Sequence, residues 1–279
     1  MESALERAMR SVGDPGAVVT QHAVSGGCIS DARYIETDSD RYFLKTNTHN
    51  FFQAEAHGLD LLQATQSLGV PAVLAVDVDY ILLAWIERTS DPDAHALGTG
   101  LAHLHRHTDT AYGLERDNYI GATPQRNRKH TEWPRFFAEE RLIPQAKLAQ
   151  TKGSWSTQRE RRLLRVLSRL EELLPASPPA SLLHGDLWSG NVMGGKAGRP
   201  YIFDPAVYYG HRETDIAFSR LFGGFPPAFY DAYQHTWPIE PGWEERAEIY
   251  NLYHLLNHLN LFGEGYGHDV DRILQRFGS

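Results

Sequence analysis

The sequence predicts an α+β protein of two lobes: a small, β-rich N-terminal lobe with one helix, then a larger, mostly helical C-terminal lobe. Three observations carry this. The first third consists of short alternating or β-branched runs broken by small-residue turns. After Trp85 the apolar pattern changes to helical spacing. No flexible linker separates the halves, so residues 1–85 and 86–279 are expected to pack closely and leave a cleft.

AVVTQHAV (17–24) is rich in β-branched residues and meets the small-residue turn SGGCIS. ARYIET (32–37) and RYFLKT (41–46) alternate on either side of the turn-like DSD and read as a hairpin. Residues 51–69 carry apolar side chains at 51, 52, 59, 62 and 68, a helical spacing that Gly69 and Pro71 end. AVLAVD and YILLAW follow as two short strands. In the second lobe DPDAHALGTGLAHLHRH, WPRFFAEERLIPQAKLAQ and STQRERRLLRVLSRLEELL read as helices. The polar stretch 112–131 reads as a long loop and PASPPA as a breaker. LLHGDLWSGNVM (182–193), the glycine-rich GGKAGRP and the strand YIFD come next. The remainder is mostly helix, the last expected from Trp243 to about Leu261.

The bulk numbers narrow the function classes. A chain of 279 residues with 42% hydrophobic and 22% charged residues is an ordinary globular composition. The net charge is −8 and no basic stripe interrupts it, which argues against a nucleic-acid partner. Cys28 is the single cysteine, so neither an internal disulfide framework nor a cysteine zinc site is available. MESALERAMRS has no apolar signal core, and no apolar run approaches the ~18 residues of a membrane span. The expected compartment is the cytoplasm, with no membrane partner.

The chemistry concentrates in one stretch. Asp186 and Asn191 are separated only by Leu-Trp-Ser-Gly, and Asp204 stands at the end of the next apolar strand. A hairpin running out along Asn191-Val192-Met193 and back along Tyr201-Ile202-Phe203 brings Asn191 and Asp204 together. Two oxygen donors so placed suit a hard cation such as Mg²⁺. The remaining carboxylate, Asp186, is then free to take a proton from a nucleophilic hydroxyl, the division of labour of kinase phosphoryl transfer. Either aspartate alone would read as a turn former; the conjunction does not. Lys45 lies in the third strand, with Glu55 in the first turns of the following helix, a spacing suited to a Lys–Glu pair on nucleotide phosphates. The turn holding Gly26, Gly27 and Cys28 offers backbone N–H groups to phosphates, and Ala84-Trp85-Ile86 at the lobe boundary stands where adenine would meet a hinge. Gly190 to Lys196 imitates a phosphate-binding G-x-x-x-x-G-K, but Ala197 replaces the hydroxyl residue and the context is a hairpin. The histidine pairs 103/107 and 254/258 share helix faces without a metal-site pattern.

HGDLWSGN, followed by YIFDPAVYYGHRETDIAFSRLFGGF, resembles the fructosamine kinase (ketosamine-3-kinase) family, within the aminoglycoside-phosphotransferase branch of the protein-kinase-like fold. SGGCIS, DNYIGATPQ, WPRFFAEERLIPQ and LLNHLNLFGEGY extend the resemblance along most of the chain. It implies Asp186 as catalytic base, Asn191 and Asp204 on Mg²⁺, and Lys45 with Glu55 on the ATP phosphates. His184 and Asp215 would support the loop, and Trp188, His258 and Asn260 would lie on the substrate side. It also implies ATP-dependent phosphorylation of a sugar hydroxyl of ketosamines, a deglycation repair reaction. A cysteine is common in the family at the place of Cys28; here oxidation would join two chains into a redox-dependent homodimer, against the plain alternative of a small filler residue. The alternatives are a kinase for an aminoglycoside or amino alcohol, and a kinase-like module without catalysis.

Overall fold

Alternating side chains in the first lobe build a five-stranded antiparallel sheet of β1 (Val18–Ala23), β2 (Asp31–Thr37), β3 (Arg41–Thr46), β4 (Val73–Val76) and β5 (Tyr80–Ala84), in the order β1-β2-β3-β5-β4. The structure is a computed structural model describing residues 2–14, 16–24, 30–48 and 51–279. Period-two alternation sends Ile35, Tyr42, Leu44 and Leu82 to one face of the sheet, where they pack on Ala8 and Met9. Ile81 and Leu83 go to the other face, against Phe52, Leu59 and Leu62 of α2 (Phe52–Ala64). The same alternation puts Lys45, next to Leu44 in the central strand β3, on the α2 face.

Two expectations for this lobe are corrected. It holds two helices, because Ala4–Val12 forms α1. Ser3 and Glu6 cap it reciprocally, the Ser3 amide donating to Glu6 Oε2 at 2.7 Å and the Glu6 amide to Ser3 Oγ at 3.2 Å. The S-x-x-E signal is present in the sequence; what makes the helix is its cap and its apolar face on the sheet. The second helix ends at Ala64, short of residue 69, since Gln66 takes a left-handed φ of 56°.

The second lobe runs α3 (Ala94–His105), β6 (Thr108–Asp109), β7 (Asn118–Ile120), β8 (Thr123–Gln125), α4 (Trp133–Phe136), a π turn (Phe137–Leu142), α5 (Ile143–Thr151), α6 (Thr157–Ser168), α7 (Leu170–Leu173), β9 (Ala180–Leu183), β10 (Val192–Gly194), β11 (Pro200–Ile202), β12 (Tyr208–Gly210), α8 (Glu213–Leu221), α9 (Pro227–Thr236), α10 (Trp243–Phe262) and α11 (Gly267–Phe277). The expected long loop contains the β7–β8 hairpin, turned at Gly121 with φ 57°. The chain does not end with α10, because α11 buries Val270, Ile273, Leu274 and Phe277 against α6 and α10.

One apolar cluster joins the lobes. It combines Phe52, Leu59, Leu62, Ile81 and Leu83 with Leu97, Leu101, Ile202 and Val207. The cleft is therefore walled by elements that share a core, which limits how far they can move apart. Among the described residues no helix is long and apolar enough to cross a membrane.

Candidate active site

β9, buried along its whole length, delivers the chain to His184-Gly185-Asp186. Four hydrogen bonds and one close approach set this turn. Asp215 in α8 accepts from the amides of His184 at 2.8 Å and Gly185 at 2.9 Å. Gly185 has φ 81°, and a Cβ there would stand 2.0 Å from the Ala206 carbonyl oxygen, so only glycine fits. His184 Nδ1 accepts the Asp186 amide at 3.3 Å, which leaves Nε2–H to donate to the Phe203 carbonyl at 3.0 Å. That second bond ties the loop to the residue before Asp204.

Asp215 is itself anchored. His105 Nε2 lies 3.2 Å from its carboxylate, and the Tyr233 hydroxyl lies 2.8 Å from His105 Nδ1. Burial holds His105 below the ordinary histidine range, so the ring is neutral and donates through Nε2. Burial alone would raise the Asp215 carboxyl, but His105 and the loop amides outweigh it and hold the group below its ordinary value.

Asp186, Asn191, Asp204, Lys45 and Glu55 line one cavity of about 710 Å³. Asn191 Nδ2 donates to the Asp186 carbonyl at 2.8 Å and to its Oδ2 at 3.1 Å, so Oδ1 is the atom left for a ligand. β10 pairs with β11, Val192 opposite Ile202, and the Phe203 amide donates to the Asn191 carbonyl at 3.2 Å. This register places Asp204 beside Asn191. Asp204 has a φ of 54° directly before Pro205, a costly backbone state of the kind that persists at functional sites.

Lys45 Nζ donates to Glu55 Oε1 at 2.6 Å and to Asp204 Oδ1. The lysine is 7% exposed. Burial works against its charge, yet Asp204 and Glu55 more than compensate and hold it above the ordinary lysine range. Burial also raises the Glu55 carboxyl against the pull of Lys45. Burial pushes the Asp186 carboxyl up to about 7; Asn191 opposes this and the nearby Asp204 and Asp215 add to it. A carboxyl poised there suits a general base at neutral pH.

The other end of the cavity is walled by the β7–β8 hairpin, Trp188 and the ends of α8 and α10. Asn118 Nδ2 donates to the Val207 carbonyl at 2.7 Å, and Gln125 Nε2 to the Ala206 carbonyl at 3.0 Å, so the hairpin is fixed to the segment that follows Asp204. Trp188, 38% exposed, and His258 both line this end. Asn260 does not. Two residues beyond His258 it points away, and its Nδ2 donates to the carbonyl and Oε1 of Gln145 at 2.9 and 2.8 Å. Asn257, three residues before it, accepts from Gln145 Nε2 at 3.3 Å and lines the cavity.

Ala84, Trp85 and Ile86 are likewise not among the residues lining this cavity. The Ala84 amide is spent on the Ala72 carbonyl and that of Trp85 on Arg41, while the Trp85 ring packs edge-on to Tyr34. Gly26, Gly27 and Cys28, and with them the homodimer expected through Cys28, lie outside the described residues. His130, Glu139 and Glu140 gather ligand atoms within 4.8 Å of one another. Arg126, Arg128 and Arg135 already pair with these carboxylates, which leaves little to attract a cation.

Several site residues escape sequence reasoning. His105 sits among helical histidines that mark only a helix face, and its role depends on Asp215, far along the chain. Phe218, Phe222, Phe262 and Tyr266 read as core or surface aromatics until the fold brings them to one wall. Asn118 and Tyr119 stand in DNYIGATPQ, where the resemblance supplied a signal.

Related proteins agree along the whole chain. The family profile described as fructosamine kinase matches residues 1–278. A probable ketoamine kinase of Enterococcus faecium is 44% identical over 264 residues, 91% of this chain and 94% of that one. A chloroplastic protein-ribulosamine 3-kinase of Arabidopsis thaliana is 40% identical over 268 residues, 91% and 81% of the two chains. The crystal structure of a putative fructosamine-3-kinase from Thermobifida fusca superposes with a TM-score of 0.89 at 29% identity, over 98% of this chain and 97% of that one. An aminoglycoside phosphotransferase crystallised with AMP-PNP and hygromycin B gives a TM-score of 0.65 at 16% identity, over 99% and 96%, a likeness of fold alone. With its protein-kinase-like α+β fold and a match running from its first residues to its last, the chain belongs to the fructosamine kinase family.

Proposed function

We propose that the protein transfers the γ-phosphoryl group of ATP to a sugar hydroxyl of a ketosamine, an amine-linked ketose of the fructosamine or ribulosamine type. The observation that carries this reading is the convergence of Lys45, Glu55, Asp186, Asn191 and Asp204 on one cavity. Asp186, the residue facing the acceptor end, takes the proton of the hydroxyl as its oxygen bonds to phosphorus and the bond to ADP breaks. Lys45, steadied by Glu55, binds the nucleotide phosphates. The donor set fits Mg²⁺: Asn191 Oδ1 has no partner among the described residues, and the Asp204 carboxylate faces the same space. Bound there, the ion would neutralise charge on the transferring phosphoryl oxygens. The His184–Phe203 and Asp215 contacts hold these groups in register before substrate arrives, so little reorganisation accompanies the reaction.

The acceptor end separates this reading from an aminoglycoside kinase. An aminoglycoside carries several ammonium groups and calls for an acidic wall. Among the described residues that line this end, which include Asn118, Tyr119, Trp188, Phe222, Asn257 and His258, none but Asp186 is a carboxylate. A kinase-like module without catalysis is disfavoured by the intact set of five polar groups. An acceptor screen with coupled ADP detection tests the proposal. Mg²⁺-dependent turnover with ribulosamine or fructosamine is expected; turnover with aminoglycosides alone would replace the reading.

A further inference from the structure

At the mouth of the acceptor end, α10 and the turn after α8 bring one histidine into a ring of aromatic side chains. The His258 ring centroid lies 4.8 Å from Phe222, 5.0 Å from Tyr266 and 5.5 Å from Phe262. All four residues line the cavity that contains Asp186. His258 Nδ1 lies 2.8 Å from the His254 carbonyl oxygen. A carbonyl only accepts, so Nδ1 carries the proton and Nε2 keeps its lone pair as an acceptor. Phe262, packed on one side by His258 and Tyr266, is still 54% exposed, a large apolar surface at the rim.

A ketosamine has two ends of different chemistry. The sugar end is rich in hydroxyls and must reach Asp186. The amine end carries a secondary ammonium followed by whatever chain the amine came from; in a glycated lysine this is an aliphatic stem. Ring faces attract such an ammonium, a neutral imidazole nitrogen accepts its hydrogen bond, and an exposed phenyl covers methylene groups.

We propose that His258, Phe222, Phe262 and Tyr266 form the amine-side subsite, in which His258 Nε2 accepts a hydrogen bond from the substrate's secondary ammonium and Phe222 and Phe262 cover the chain attached to it. This rests on the ketosamine reading and adds a specificity: acceptors with an extended aliphatic chain on nitrogen are preferred over those with a short one.

The test is a series of N-alkyl ribulosamines from methyl to hexyl, followed by kinetics and by calorimetric binding without ATP. Both kcat/KM and affinity should rise by about two- to fourfold per methylene over the first carbons, the scale of burying one such group. Phe262→Ala should flatten this dependence, with the change in acceptor KM rather than in kcat. Replacing the substrate nitrogen by an ether oxygen removes the donor; it should weaken binding to the natural enzyme and make little further difference to His258→Phe, which keeps a ring in the wall. A natural enzyme that phosphorylates every ribulosamine with equal kcat/KM, or a Phe262→Ala variant with the full chain-length dependence, overturns the subsite and leaves the kinase reading standing. Failure of all ketosamines to bind or turn over overturns both.

Discussion

The carboxylate of Asp215 accepts the backbone amide of His184 at 2.8 Å across 31 residues of sequence. It takes the Gly185 amide as well, and His105 holds it from the other side. The loop that carries Asp186 is thereby set by a group that lies outside the cavity.

Asp215→Asn tests this directly. The amide side chain offers one acceptor where two backbone N–H groups and an imidazole N–H converge. The unfolding free energy is expected to fall by roughly 1–3 kcal/mol, the cost of a buried donor left unpaired. In denaturant titrations and kinetics on the same preparation, kcat should fall more than the KM for ATP changes. Unaltered kcat at normal stability would separate Asp215 from the catalytic loop.

Asp186→Asn is expected to lower kcat by roughly 10²–10⁴, the usual contribution of a positioned base. Nucleotide binding, followed by calorimetry, should persist, because the proposed reaction assigns Asp186 to the acceptor hydroxyl. Asp204→Ala should weaken Mg²⁺–nucleotide binding and rate together. Near-normal turnover in Asp186→Asn would remove it as the base.

Lys45→Met should raise the KM for ATP and lower kcat. It also strands Glu55 and Asp204, two carboxylates left without their shared cation. Breaking one side of a buried pair costs roughly 3–5 kcal/mol. The double change Lys45→Met with Glu55→Gln should recover part of this stability without recovering activity. A double variant as unstable as the single one would show that the pair is not the source of the loss.

Stability should decline in mild acid through histidines buried as neutral rings. His254 stacks on Phe218 at a centroid distance of 3.7 Å, and burial lowers it from the ordinary 6.5 to about 3. The folded state therefore binds its proton later than the unfolded state does. No penalty exists above pH 6.5; below it the unfolded chain is favoured progressively, until the folded ring titrates near 3. The slope per such group is up to about 1.4 kcal/mol per pH unit. His254→Phe should make the acid branch shallower by about that amount in melts between pH 7 and 5. Burial lowers His105, His184 and His211 too, so part of the slope should remain. An identical acid branch in His254→Phe would contradict the buried neutral ring.

The sequence by itself determined a β-rich first part followed by a mostly helical one, and it singled out the polar groups that line one end of the cavity. Strand alternation and helix spacing are local signals, and Asn191 and Asp204 flank one short hairpin, with Asp186 in the loop just before it. Lys45 and Glu55 are close enough in sequence for strand and helix geometry to pair them. Only the tertiary structure decided the rest. His105 joins Asp215 across 110 residues. Asn257 and Asn260, three apart in α10, both bond Gln145, but only Asn257 also lines the cavity. Phe222, His258, Phe262 and Tyr266 meet because α8, α10 and the turn after α10 pack together. Such contacts depend on the rotation of whole helices against one another, and this is set by the sum of many weak packing contacts rather than by any short run of residues.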